Sequence, residues 1–176
     1  MDFTETKLKG AFVVRQKRIE DARGFFARAW CADEFAAHGL NPSIIQLNTA
    51  FNRRAGAVRG LHFQSEPHAE AKFVRCTRGA IFDVAVDLRP DSPTRGQWVG
   101  EELTADNGAM LYIPEGFAHG YQTLSDETEM YYTTTAVFAP AAAGGYRHND
   151  PAFAIAWPLP VSIISDADAK WPDYQP

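Results

Sequence analysis

Three side chains able to move protons or hold a metal sit in tight sequence settings. They are His62 within Arg59-Gly60-Leu61-His62-Phe63-Gln64, Lys72 ten residues on, and His119 just after the turn Pro114-Glu115-Gly116. An imidazole serves equally as a metal ligand or as an acid–base group near neutrality. A lone histidine among apolar residues is most often a packed strand residue, so its neighbours must decide. A transition metal held from a strand wants a second imidazole two residues away, and that position is Gln64, a poor ligand. Four and five residues beyond it, where a glutamate would complete the set, stand His68 and Ala69. His62 and His119 alone are thin coordination for zinc or iron. The pattern predicts no bound metal and leaves His62 for acid–base work.

Other residues could assist. Gly60 inside the run predicts a bulge, which would bring Arg59 and His62, of opposite strand parity, to one site. The forked guanidinium groups of Arg23 and Arg59 suit phosphate oxygens. Asp83, placed in an apolar strand, wants a partner such as a histidine or arginine. Gln46 and Asn48 share one strand face and could touch phosphate or sugar, or form a polar outer face. Phe25 and Phe26 could stack on a base or fill a core. Tyr131 and Tyr132 are adjacent, so strand parity admits one of them to an inner face.

The elements that must position these residues are mostly strands. In Ile81 to Leu88, Phe82, Val84, Val86 and Leu88 share one face while Ile81, Asp83, Ala85 and Asp87 share the other. Similar short runs fall at 11–14, 25–31, 43–49, 57–64, 72–78, 98–104, 109–113, 117–123, 129–138 and 161–164. Turn residues separate several, notably Arg89-Pro90-Asp91-Ser92-Pro93 and Asp106-Asn107-Gly108. The segment 140–145 reads as a loop. One helix is predicted near Ala32 to His38, with Asp33 and Glu34 in its first turn and Gly39 as its stop. About ten strands with one short helix predict an all-β barrel or jelly roll, a fold that holds small ligands in its interior.

Composition narrows the class. The 176 residues predict one domain spanning 1–176, and the 45% apolar and 22% charged fractions are ordinary for a globular chain. A net charge of −5 without any basic run argues against nucleic acid as a partner. Cys31 and Cys76 lie at no metal-like or redox spacing, which fits a reducing compartment. Without a signal pattern or an apolar run of membrane-spanning length, the expectation is a cytoplasmic protein that does not enter membranes.

Two resemblances sharpen this reading. Gly56-x5-His62, with Gly108-x5-Pro114-x-Gly116-x2-His119, resembles the paired cupin motifs, implying a cupin-type double-stranded β-helix. Across nearly the whole chain the sequence also resembles the dTDP-4-dehydrorhamnose 3,5-epimerases. That likeness is carried by Asp21-x-Arg23-Gly24-Phe25-Phe26, Gln46-x-Asn48, the segment 59–64, Lys72 and Gly79-x-Ile81-x-Asp83. It continues through Ser92-Pro93-Thr94, Ile113-Pro114-x-Gly116-Phe117-Ala118-His119-Gly120, Tyr132, Asn149-Asp150-Pro151 and Ser165-x-x-Asp168. The resemblance implies inversion at the carbons flanking the 4-keto group of a nucleoside-diphosphate 6-deoxyhexose, with no cofactor. It implies His62 as base, Asp168 orienting it, Tyr132 as acid on the opposite face and Lys72 beside the keto oxygen. It places His119 in the site, and it implies a homodimer in which the segment carrying Arg23 reaches the partner's site.

The chain also departs from that family. Arg28 stands where relatives carry a glutamate that contacts the nucleobase, and Val137-Phe138 replaces a tyrosine pair. Ala143 replaces a glutamate, His148 a tryptophan, and Ala50 and Asn52 replace serines. Arginine cannot accept from thymine N3–H, so the base and the number of inverted carbons stay open. The alternatives are a 3-epimerase, an enzyme of CDP- or GDP-sugars, and a non-catalytic sugar-nucleotide-binding cupin.

Overall fold

The computed structural model describes residues 1–175; Pro176 lies outside the described residues. In chain order the strands are β1 (Asp2–Glu5), β2 (Phe12–Arg15), β3 (Arg18–Asp21), β4 (Gly24–Ala27), β5 (Gln46–Asn52), β6 (Val58–Gln64) and β7 (Lys72–Arg78). They continue as β8 (Ala80–Asp87), β9 (Trp98–Thr104), β10 (Ala109–Ile113), β11 (Phe117–Thr123), β12 (Thr128–Thr134) and β13 (Ala143–Gly145). The helices are α1 (Ala32–Ala37) and α2 (Asp166–Ala169). No helix among the described residues is long and apolar enough to cross a membrane.

Two antiparallel sheets make the expected jelly roll. One has the order β1-β2-β10-β7-β12-β5, the other β13-β6-β11-β8-β9, and β3-β4 form a separate hairpin. Val74, Leu111 and Met130 from the first sheet meet Ile81, Ala85, Leu103 and Phe117 from the second in one core. Period-two alternation explains β8. Ile81 and Ala85 enter that core, while Val84 and Val86 face outward under Phe153 and its neighbours in the C-terminal segment. Both faces of β8 are therefore covered. On the outer face of the first sheet, Phe35 of α1 packs against Phe73 and Tyr112. Gly39, at φ +71°, ends that helix as predicted.

The differences from expectation have physical reasons. Segment 143–145 is strand rather than loop, pairing Ala143 with Gln64 and Gly145 with His62. Its two glycines lack β propensity but permit contact: a Cβ on Gly145 would lie 2.6 Å from Leu61 O. The run 161–164 contributes only an isolated bridge between Ile163 and Ala57. The run 25–31 ends at Ala27, and its partner β3 was missed because its residues are all exposed and give no alternation. β1, equally short and mostly exposed, escaped for the same reason.

The turn after β8 is organised by one carboxylate. Asp87 is fully buried and accepts from Arg89 Nε (2.9 Å) and Nη2 (2.7 Å), Ser92 Oγ (2.5 Å) and Thr94 Oγ1 (2.7 Å). Burial opposes its charge, but these donors outweigh burial and bring its pKa from 3.8 down to about 2. A depressed folded-state pKa stabilises the fold fully above the unfolded value and loses that contribution as pH falls through the folded value. Acid titration of unfolding free energy should therefore show stability lost between pH 3.8 and about 2 that is missing in Asp87→Asn. Parallel curves for the two proteins across that window would contradict this.

Candidate active site

A cavity of about 580 Å³ opens between the sheets, lined by Gln46, Asn48, Arg59, His62, Lys72, His119 and Tyr132 among others. Its geometry starts at Gly60. β6 and β11 pair His62 with His119 and Arg59 with Tyr121, so a register shift lies between them. Gly60 has φ +107°, and a Cβ there would sit 2.6 Å from both Gly120 Cα and His119 O. Only glycine fits. The bulge turns Arg59 and His62 toward the same cavity, as their spacing predicts.

Asp168 locks this arrangement from far along the chain. Its Oδ1 lies 2.6 Å from His62 Nε2, and its Oδ2 accepts the Gly60 N–H at 3.2 Å. Ser165 Oγ caps α2 by accepting the Asp168 N–H, which faces Asp168 inward while Asp166 stays exposed. Burial would push the Asp168 carboxyl up, but the His62 imidazole and the Gly60 N–H outweigh it, holding the pKa below the ordinary range. A charged acceptor at Nε2 selects the tautomer with its proton there and leaves the Nδ1 lone pair free. The Trp171 ring, edge-on to His62 at 6.4 Å, completes this wall.

His119 is held likewise, its Nε2 2.7 Å from Asp83 Oδ1, with both side chains buried. This is the partner Asp83 was expected to need. Arg59 is clamped by Nε donation to Asn52 Oδ1 at 2.9 Å, while Asn52 Nδ2 donates to Tyr121 OH at 3.1 Å. Tyr132, not Tyr131, faces the cavity. Burial raises its pKa, the Glu70 carboxylate adds to that rise, and Arg59 partly opposes it. Gln46 and Asn48 face inward too, and Gln46 Oε1 accepts the Phe138 N–H at 2.6 Å.

Lys72 is buried beside Glu70, Nζ to Oε1 at 3.2 Å, rather than exposed at its strand start. Sequence reasoning missed Glu70, Asn52 as a clamp, Phe138 and Trp171; the acid two residues before Lys72 was the available signal. Gln64 is fully engaged, its Oε1 accepting the Ala139 N–H at 2.6 Å and its Nε2 2.9 Å from His68 O. Among the described residues, no three His, Cys, Asp or Glu side chains are grouped to hold a metal ion.

Four expected binding residues do not line this cavity: Asp83, fully buried behind His119, and Arg23, Phe25 and Arg28. Arg23 and Phe25 lie on the β3-β4 hairpin, where Arg23 pairs with Asp21 at 2.5 Å and Phe25 lies under the Arg18 guanidinium at 4.3 Å. Arg28 is exposed and donates to Glu34 Oε1 at 2.6 Å, so its charge is already paired.

Comparison with known proteins agrees with this geometry. A family model described as dTDP-4-dehydrorhamnose 3,5-epimerase matches residues 5–175. An enzyme of that name from Sinorhizobium fredii is 40% identical over 98% of this chain and 89% of its own length. A dTDP-4-dehydrorhamnose 3-epimerase from Streptomyces niveus is 38% identical over 92% of this chain and 78% of its own. The crystal structure of a dTDP-4-dehydrorhamnose 3,5-epimerase from Bacillus anthracis, with TDP and PPi bound, superposes with a TM-score of 0.95. It is 38% identical, covering 98% of this chain and 99% of that one. By sequence over nearly its full length and by fold, the chain belongs to the dTDP-4-dehydrorhamnose 3,5-epimerase family.

Proposed function

We propose that this chain inverts C3 and C5 of a dTDP-linked 4-keto-6-deoxyhexose, converting dTDP-4-dehydro-6-deoxy-D-glucose to dTDP-4-dehydro-L-rhamnose. The observation that carries this reading is the 2.6 Å His62–Asp168 contact in a cavity shared with Lys72 and Tyr132. The ketone acidifies its flanking C–H bonds because the conjugate base is an enolate. His62 takes the proton at Nδ1, and Asp168 stabilises the resulting imidazolium. The C–H electron pair moves into the enolate, whose oxygen the Lys72 ammonium stabilises. Tyr132, kept protonated by its raised pKa, delivers a proton to the opposite face. Solvent then restores both groups. Carbon oxidation state is the same before and after, so the chemistry calls for no redox cofactor. Arg59 binds the diphosphate, while Gln46, Asn48 and His119, the last held by Asp83, contact the sugar.

Arg23, Phe25 and Arg28 enter through assembly. Leu47 (64% exposed), Phe51 and Tyr131 make an apolar outer face along β5 and β12, and the hairpin exposes Ile19 (69%) and Phe26 (73%). Apolar area of this kind favours a partner copy. The proposed homodimer covers it and delivers the hairpin's Arg23 to the partner's diphosphate site.

Incubation with dTDP-4-dehydro-6-deoxy-D-glucose in D2O tests the reaction, with deuterium expected at both C3 and C5. Incorporation at C3 alone would favour the activity named for the Streptomyces niveus relative. His62→Asn should lower turnover by about a hundredfold or more, and near-native exchange in that variant would end the role given to His62. Dialysis against a strong chelator should leave activity unchanged; loss restored by one divalent ion would refute the metal-free scheme. Assembly has its own test. Arg23→Ala and His62→Asn proteins, mixed and re-equilibrated, should recover roughly a quarter of native activity, because half the dimers would carry one intact site. Absence of any recovery from two dimeric variants would place Arg23 in its own chain's site.

A further inference from the structure

Gln64 and Glu70, to which neither the sequence motifs nor the proposed chemistry gives a role, form a continuous chain of contacts ending at Lys72. Gln64 Oε1 accepts the Ala139 N–H at 2.6 Å, which fixes the amide's orientation. Its Nε2 then faces three acceptors, His68 O at 2.9 Å, Glu70 Oε2 at 3.2 Å and Val137 O at 3.3 Å. The second Glu70 oxygen, Oε1, is 3.2 Å from Lys72 Nζ, and the two side chains are only 9% and 10% exposed. Gln64, Glu70, Lys72 and Phe138 all line the cavity that holds His62 and Tyr132.

A lysine stem has four rotatable bonds, and its ammonium is a compact charge whose effect depends on where it is held. Stabilising an oxyanion needs a donor fixed before the charge develops, since reorientation during the reaction would cost part of the benefit. One of the three Lys72 N–H bonds engages Glu70, which directs the other two away from that carboxylate. Gln64 bears on its other oxygen, which limits how far the carboxylate can swing. The same carboxylate contributes to the raised pKa of Tyr132.

We propose that Glu70, braced by Gln64, is a positioning residue for Lys72, fixing the ammonium for the enolate oxygen and tying it to the 137–139 segment beside the cavity. The role of Lys72 in this inference rests on the reaction proposed above; its placement does not. A carboxylate serving only to neutralise a buried lysine would affect stability and leave the kinetics of the folded protein alone.

The test is a double-mutant cycle with a structural arm. Glu70→Ala should lower kcat about tenfold or more while KM stays within about threefold, the pattern of a lost transition-state contact. Glu70→Gln, which keeps an acceptor, should retain at least about a third of native kcat. In a Lys72→Met background, Glu70→Ala should cost less than about twofold further. Should Glu70→Ala fail to fold, Gln64→Leu carries the test, with kcat down about threefold and that loss again absent beside Lys72→Met. Native kcat in Glu70→Ala, a glutamine variant as impaired as alanine, or an undiminished loss without Lys72 would each overturn the proposal. Independently of activity, protein labelled at lysine Nζ with 15N should give a slowly exchanging ammonium signal that Lys72→Met removes and Glu70→Ala loses. A signal unchanged in Glu70→Ala overturns the positioning. If the native protein incorporates no deuterium, the proposed reaction fails, and this signal alone decides where Lys72 is held.

Discussion

The Asp168 carboxylate is the tie on which the site depends. One oxygen meets the His62 imidazole and the other the Gly60 N–H, so the imidazole and the backbone bulge that aims it are fixed by a single group. The two ends of that tie lie 106 residues apart in sequence, which makes the site a product of the completed fold. Gly60 is equally constrained. Its positive φ and its contact with Gly120 exclude any side chain, and the bulge is what admits Arg59 and His62 to one cavity. Capping by Ser165 serves the same end, since it turns a four-residue helix so that Asp168 rather than Asp166 faces inward.

Three carboxylates hold three basic groups around this cavity: Asp168 with His62, Asp83 with His119, and Glu70 with Lys72. Removing such groups from water is costly, and their attraction repays it only where the remaining lone pairs and protons also find partners. Asp168 meets that condition through Gly60, and Glu70 meets it through Gln64. Asp83 does not, for its Oδ2 has no partner among the described residues. Asp83 is fully buried behind His119, so that unpaired acceptor is a cost carried by the fold itself. The same accounting explains why pairs in the cavity are structural as well as chemical: removing the histidine or the lysine leaves a buried carboxylate without its partner.

Much of this was legible in the sequence because alternation and punctuation are local. The two faces of β8, the bulge at Gly60, the helix stop at Gly39 and the turn before His119 each follow from a few adjacent residues. What escaped depends on distant partners. β13 is made by backbone pairing to β6, with glycines chosen for close approach rather than propensity. The choice between Asp166 and Asp168 needed the family likeness, as no local pattern separates them. Glu70 escaped because its partner Gln64 reaches it across a turn. In the exposed β3-β4 hairpin only β4 was read, because the residues of β3 do not face this chain's own core.

The departures from the family fall on a different set of atoms from those that hold the proton-transfer groups. Phe138 keeps a ring at a cavity position where a tyrosine is expected, so it can still stack but can no longer donate. Ala143 removes an expected carboxylate from β13, yet it pairs with Gln64, whose side chain reaches Glu70. Glu70, from the segment before β7, supplies a carboxylate at this edge of the cavity. It stands beside Lys72, while Ala143, Gly144 and Phe138 make an apolar surface along that wall. Arg28, likewise, is paired within its own chain to Glu34, a carboxylate it shares with the Met1 ammonium. The polar braces can thus hold the reacting groups in place while the surfaces around them change. This separation lets recognition drift without moving His62, Lys72 or Tyr132.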